Sequence, residues 1–256
     1  MGKTERTNDF TAIIPARYAS TRFPGKPLAD IGGKTMIQRV YEQTAKAVGR
    51  VMVATDDERI RAEVGRFGGE VVMTSATHRS GTDRIAEAFK KRCGGTAGHT
   101  VIINVQGDEP FIQPDQIRRL MDCFADSSVQ IATLVKPVAS HAELFNPNHV
   151  KVVRDLTGRA IYFSRWPIPY LRNVPEDLWH ERHVYFKHIG IYAYRADILE
   201  QLTALPPSAL ETAESLEQNR WLENGYVIHT AETDSEGLSI DTPEDLNVVL
   251  AQLPHL

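Results

Sequence analysis

Short, continuously apolar runs recur through the first half of the chain, each followed by a stretch with helical periodicity. Residues 10–14 (FTAII), 51–55 (VMVAT), 70–74, 101–105 (VIINV) and 130–135 read as strands. Between them, residues 35–47 carry Met36, Ile37, Val40 and Tyr41 on one helical face, and residues 82–93 align Ile85, Ala86 and Phe89. Residues 57–67 and 114–124 are further helices, the second opening on Pro114, where a missing N–H costs nothing. Runs that are apolar throughout, rather than alternating, predict strands buried on both faces. The pattern therefore predicts an α/β fold with a mostly parallel central sheet and helices on both faces.

The rhythm changes over residues 139–184, which hold Pro147, Pro167, Pro169 and Pro175. Two β-rich pieces, 150–153 and 160–163, flank a turn at Thr157-Gly158 and predict an inserted hairpin and loop. Trp166, Tyr170 and Trp179 are too many aromatics for a free loop, so this segment is expected to supply a dimer interface. The α/β frame resumes with a strand at 188–194, helices near 196–204 and 209–224, a strand at 226–229 and a last helix from Pro243. One domain over residues 1–256 is the expected organisation, with 139–184 as the insertion.

Composition narrows the class. Hydrophobic residues make up 42% and charged residues 24%, the balance of a globular protein. The net charge of -4 carries no basic excess, so nucleic acid is not an expected partner. Two cysteines, Cys93 and Cys123, outside any C-x-x-C, make no disulfide framework and point to the cytoplasm. The polar start, MGKTERTNDF, lacks a signal-peptide core, and no apolar run approaches the ~18 residues of a membrane span, so no membrane insertion is expected.

In open parallel sheets, ligands bind beyond the carboxyl ends of the strands. After the first strand comes a loop with Arg17, Ser20, Arg22 and Lys26, cations interleaved with hydroxyls and Gly25. Such a loop wraps a polyphosphate, or it is a solvated loop with incidental charge. Gly33-Lys34-Thr35 ends like a phosphate loop, but Leu28 stands where its first glycine belongs; Gly32-Gly33 reads as a turn before a helix capped by Thr35. After the strand at 101–105 comes Gln106-Gly107-Asp108, a place for a carboxylate that holds Mg²⁺ against phosphate or for one that caps a turn. Asp241 precedes Thr242-Pro243, where a plain helix cap competes with a second metal ligand. His180, His183 and His188 lack a cysteine partner for a zinc site. Glu214 and Glu217 fall on one face of the helix expected at 209–224, and Tyr192 and Tyr194 on one face of their strand.

Taken together, these segments resemble the 3-deoxy-manno-octulosonate (KDO) cytidylyltransferases, from about Phe10 to Leu250. The resemblance is carried by IPARYASTR (14–22), PGKPL (24–28), SGTDR (80–84), NVQGDEP (104–110), YFSR (162–165), HIGIY (188–192), SLEQ (215–218) and DTPED (241–245). It implies a nucleotide-diphosphosugar-transferase-like fold, Mg²⁺ dependence, a cytoplasmic homodimer, and CMP transfer from CTP to KDO for lipopolysaccharide synthesis. On matching positions it assigns Arg17, Ser20, Arg22 and Lys26 to the triphosphate, and Gly81, Thr82 and Arg84 to the nucleotide base. It assigns Asp108 and Asp241 to the metal, and Gln106, Arg165, His188, Tyr192 and Glu217 to the sugar acid; Arg17, Lys26, Asp108 and Asp241 form the catalytic set. The chain departs from the pattern at Phe23, Thr35 and Asn219, the last in place of a common apolar residue on the helix that bears Glu217.

Three alternatives stand beside this one. A CMP-sialic acid synthetase shares the Arg-x-x-Ser-x-Arg loop but typically has Lys-Asn where this chain has Lys26-Pro27. A cytidylyltransferase for an amino analogue of KDO has the same motifs. A non-catalytic sugar-nucleotide sensor would have lost Asp108, Asp241 or Lys26, and all three are present.

Overall fold

The computed structural model describes residues 9–78, 80–94 and 100–252. The polar start that bears on targeting lies, except for Asp9 and Phe10, outside the described residues. In chain order the elements are β1 (Asp9–Ala16), α1 (Met36–Ala45), β2 (Val51–Thr55), α2 (Glu58–Arg66), β3 (Glu70–Met73), α3 (Gly81–Cys93), β4 (Thr100–Asn104) and α4 (Pro114–Asp122). There follow β5 (Ile131–Pro137), α5 (His141–Phe145), β6 (Lys151–Arg154), β7 (Ala160–Ser164), α6 (Trp179–Arg182), β8 (Phe186–Arg195), α7 (Ala196–Thr203), α8 (Ala209–Glu214), α9 (Glu217–Glu223), β9 (Ile228–Glu232) and α10 (Pro243–Gln252).

The chain divides into two compact units, one of residues 1–118, 193–203 and 236–256, the other of residues 119–192 and 204–235. In the first unit β1 lies between β2 and β4, with β3 beyond β2, and all three pairings are parallel. β2 and β4 are buried at every position, which is why their sequences show no alternation. Ile13, Ile14, Met52, Val53, Ile102 and Ile103 are fully enclosed, as are Ile37, Val40, Ile60 and Ile85 on α1, α2 and α3. A smaller cluster of Ile31, Met36, Ile240 and Val249, flanked by Phe23, Phe111 and Leu246, fastens the last helix against the segment after β1. Thr35 stands at the start of α1, but its side chain makes no cap; its hydroxyl donates to Glu63 instead.

In the second unit β5 and β9 are parallel, while β6 pairs antiparallel with both β7 and β8. The hairpin expected from 150–163 is present, and Asp155 closes it by accepting from the N–H groups of Thr157 and Arg159. Two expectations change here. Trp179 is not an exposed aromatic: it is 2% exposed, packed with Val138, Leu144 and Tyr185, and its indole N–H donates to the Val174 carbonyl. The single helix expected over 209–224 is two, α8 and α9, broken at Ser215, whose backbone is left-handed at φ 52°. The break leaves Glu214 at the end of one helix and Glu217 at the start of the next, not on a shared face.

Candidate functional site

The loop after β1 is built to present cations. Gly25 takes a left-handed conformation (φ 74°), and a Cβ there would come within 3.0 Å of the Tyr18 ring. The Gly25 N–H donates to the Tyr18 carbonyl, and the Arg59 guanidinium lies 3.2 Å from the centre of the Tyr18 ring. Ser20 Oγ accepts from the Phe23 N–H, so this hydroxyl shapes the turn. Lys26, Pro27 and Leu28 then form one turn of 3₁₀ helix, in which buried Pro27 sets the start and Lys26 points its ammonium inward.

A cavity of about 370 Å³ opens on this loop. Arg17, Ser20, Arg22 and Lys26 line it from the loop, Ser80, Gly81 and Arg84 from the start of α3, Gln106 and Asp108 from the end of β4, and Asp241 from before α10. Four cationic side chains thus face two carboxylates, a surplus suited to a polyanion. Gly107 lets β4 end against β1: a Cβ there would meet the Pro15 carbonyl oxygen at 2.8 Å.

The two carboxylates converge on one cation. Lys26 Nζ donates to Asp108 Oδ2 at 2.7 Å and to Asp241 Oδ1 at 3.1 Å, and Arg22 donates to the same Asp241 oxygen at 3.1 Å. Asp241 is not the helix cap. Thr242 Oγ1 accepts from the Asp245 N–H while the Asp245 carboxylate accepts from the N–H groups of Thr242 and Asp241, which caps α10 without the Asp241 side chain. Asp108 does not cap its own turn either; its carbonyl accepts from the Ile240 N–H, which brings Asp108, beyond the end of β4, beside Asp241, which follows no strand but stands just before α10.

The start of α3 contributes unequally. Ser80 caps the helix by accepting from the Asp83 N–H, and Gly81 opens onto the cavity. Thr82 is buried and does not line it. Arg84 donates to Thr74 Oγ1 at 2.7 Å and pairs with Asp56 at 3.1 Å, so its guanidinium is held from behind. His78 lines the cavity too, tied to Glu87; lying in a loop without a repeat pattern, it gave no sequence signal.

Arg165, His188, Tyr192 and Glu217 belong to the second unit. Arg165 donates from Nε to the Glu214 carbonyl (2.7 Å), from Nη1 to Pro147 O (3.1 Å) and from Nη2 to Ser215 O (3.4 Å). His188 Nε2 lies 3.0 Å from Thr133 Oγ1, whose own hydrogen goes to the Ile191 carbonyl at 2.7 Å. The hydroxyl therefore accepts from Nε2–H, and Nδ1 keeps its lone pair. Burial pushes the His188 pKa down to about 3, so the ring is neutral near pH 7. Tyr192 packs edge-on to Trp221, with ring centres 5.2 Å apart. Glu217 accepts from Arg220 at 2.8 Å. Asn219, the unusual residue of this segment, is fully buried and pairs with Phe163 in both directions, its amide N–H on the carbonyl and its oxygen on the N–H. No group of three or more histidine, cysteine or acidic side chains suited to a metal occurs among the described residues, so the histidines at 180, 183 and 188 form no such cluster.

An α/β nucleotidyltransferase-like fold with a cation-rich cavity at the strand ends defines a nucleotidyltransferase class. The cytidylyltransferase family model matches residues 11–233. A 3-deoxy-manno-octulosonate cytidylyltransferase of Parabacteroides distasonis is 58% identical over 250 residues, covering 96% of this chain and 98% of the relative. One of Cytophaga hutchinsonii is 60% identical over 238 residues, covering 92% and 94%. A solved CMP:2-keto-3-deoxy-manno-octonic acid synthetase complexed with CTP superposes with a TM-score of 0.87 at 44% identity, covering 96% of this chain and 99% of its own. The chain belongs to the 3-deoxy-manno-octulosonate cytidylyltransferase family.

Proposed function

We infer that this chain transfers CMP from CTP to KDO, giving CMP-KDO and pyrophosphate. One observation carries the chemistry: a single ammonium, Lys26, bridges two carboxylates from distant parts of the chain within a cavity rich in arginine. Family membership supplies the nucleotide and the sugar acid. The anomeric hydroxyl oxygen of KDO bonds to the α-phosphorus, in line with the breaking bond to the bridging oxygen of pyrophosphate, and gives up its proton to solvent. Arg17, Arg22 and Lys26 neutralise the triphosphate and stabilise the charge that grows on the leaving group. Ser80 and Gly81 present backbone N–H groups to the cytosine edge, with Arg84 behind them; Thr82, being buried, supports this turn from within.

Asp108 and Asp241 fit Mg²⁺: they are hard oxygen donors, they already meet around one cation, and Mg²⁺ usually takes only one or two carboxylates. Bound there, Mg²⁺ supplies Lewis acidity toward phosphate oxygens and lowers the pKa of the sugar hydroxyl. We assign the sugar acid to Gln106, Arg165, His188, Tyr192 and Glu217. Arg165 would face the carboxylate, and neutral His188, with Nδ1 as an acceptor, would meet a hydroxyl.

We propose further that residues 1–256 work as one cytidylyltransferase domain, in the cytoplasm, as a homodimer, supplying lipopolysaccharide synthesis. Trp166 and Tyr170, 63% and 71% exposed, support residues 139–184 as the interface. The two cysteines are free thiols, in keeping with a reducing compartment. No described helix is long and apolar enough to cross a membrane. Pyrophosphate release tests the reading: it requires CTP and KDO together, and sialic acid in place of KDO leaves it at background.

A further inference from the structure

The break between α8 and α9 does more than end a helix. Glu214, the last residue of α8, receives donors on both carboxylate oxygens. Oε1 accepts from Ser164 Oγ at 2.8 Å and from the Tyr162 hydroxyl at 3.3 Å, and Oε2 accepts from the Arg165 N–H at 2.9 Å. Its main-chain carbonyl takes the Arg165 Nε–H, and the next carbonyl, of left-handed Ser215, takes Nη2–H. Two residues on, Glu217 begins α9. One acidic side chain thus ties the end of β7 to the turn that leads into Glu217. Lys151, buried on β6 in register with Ser164, donates its ammonium to the Asn146 carbonyl at 3.0 Å; burial and Arg165 push its pKa down to about 8, and the Glu214 charge opposes that fall.

We propose that Glu214 is a positioning residue for the sugar acid, holding Arg165 and the start of α9 in one fixed arrangement without touching the substrate. The proposal rests on the assignment of Arg165 and Glu217 to that substrate. The chemistry requires a carboxylate. All three groups on the side chain are donors in this arrangement, and only an ionised carboxylate accepts on both oxygens. Glutamine in the same place turns an NH₂ toward one of them and loses the charge-assisted bonds.

The test uses the full chain and steady-state pyrophosphate release, with KDO and CTP varied in turn. Glu214→Gln raises the KM for KDO by about tenfold or more, while the KM for CTP stays within about twofold. Glu214→Asp recovers part of the loss, and Ser164→Ala, which removes one of the three bonds, shows a smaller rise in the same constant. Arg165→Lys and Glu217→Gln serve as references for the sugar assignment. If both raise the KM for KDO and neither Glu214→Gln nor Ser164→Ala does, the positioning role is overturned. If neither reference variant moves that constant, the sugar assignment fails and the proposal falls with it. Equal rises in both KM values alongside a lowered melting temperature show a merely structural role and also overturn the proposal. Should Glu214→Gln fail to fold, Ser164→Ala and Tyr162→Phe decide by the same selective rise or its absence.

Discussion

Lys26 and Asp241, 215 residues apart in the chain, meet at 3.1 Å in the cavity beyond β1. The same ammonium lies 2.7 Å from Asp108, and its side chain is only 13% exposed. Three charged groups so placed act as a unit, and replacing any one of them has consequences for the others.

Asp108→Asn and Asp241→Asn should each lower kcat by about 10²-fold or more with the fold intact, and the double variant should be little worse than either single. Circular dichroism and pyrophosphate release check this together. Asparagine caps a helix nearly as well as aspartate, so a capping role for Asp241 predicts near-normal turnover in Asp241→Asn. The Thr242–Asp245 cap makes that outcome the unexpected one.

Lys26→Met leaves Asp108 without its cation and Asp241 with Arg22 alone. In the absence of nucleotide this variant should bind Mn²⁺ more tightly than the parent chain does, because the ion no longer competes with an ammonium. Its turnover should fall by about 10²-fold, since the triphosphate loses a charge-assisted donor. Electron paramagnetic resonance of free Mn²⁺ reads the first effect, independently of catalysis.

Gly107→Ala places a methyl group 2.8 Å from the Pro15 carbonyl oxygen, where backbone must move. Urea unfolding should show a loss of about 1–3 kcal/mol, and turnover should fall with it because Asp108 is the next residue. An alanine variant of unchanged stability would contradict so close an approach of β4 to β1.

His188 carries a pH signature. Its ordinary pKa of 6.5 falls to about 3 on burial, so between these values the unfolded chain binds a proton that the folded chain refuses. Stability is therefore lost as the pH falls through this window, and His188 adds no pH dependence above it. His188→Gln should flatten the acid side of a plot of melting temperature against pH between 6.5 and 3. The KM for KDO should show no titration of His188 between pH 6 and 8.

The parts legible in the sequence are those where one physical signal dominates. β2 and β4 are buried on both faces and read as unbroken apolar runs, so their ends, and with them Asp108, could be located. Lys26 and Arg22 are legible as loop cations after a buried strand, whereas their meeting with Asp108 and Asp241 is not, because the partners lie 82 to 219 residues away. Other features left no such trace. The break at Ser215 has neither glycine nor proline, and Glu214 stayed hidden as one more surface acid; its role comes from donors 49 to 52 residues away. α5 and α6, of 5 and 4 residues, are too short to show a period. Composition counts Trp179 as one more loop aromatic, whereas its burial depends on Val138, Leu144 and Tyr185 coming together from distant segments. Asn219 reads as a polar residue where the family commonly has an apolar one; its partner is the main chain of Phe163, which no side-chain pattern announces.

The bond that forms decides the function. Purified protein incubated with CTP, KDO and Mg²⁺, and followed by ³¹P nuclear magnetic resonance, should convert the three CTP resonances into a single phosphodiester resonance and that of pyrophosphate, in equal amounts. UTP in place of CTP should react at least about 10²-fold more slowly, because groups set against the exocyclic amine are left unpaired by a carbonyl. Release of CDP and phosphate, or CTP resonances unchanged in the presence of KDO and Mg²⁺, would contradict the account.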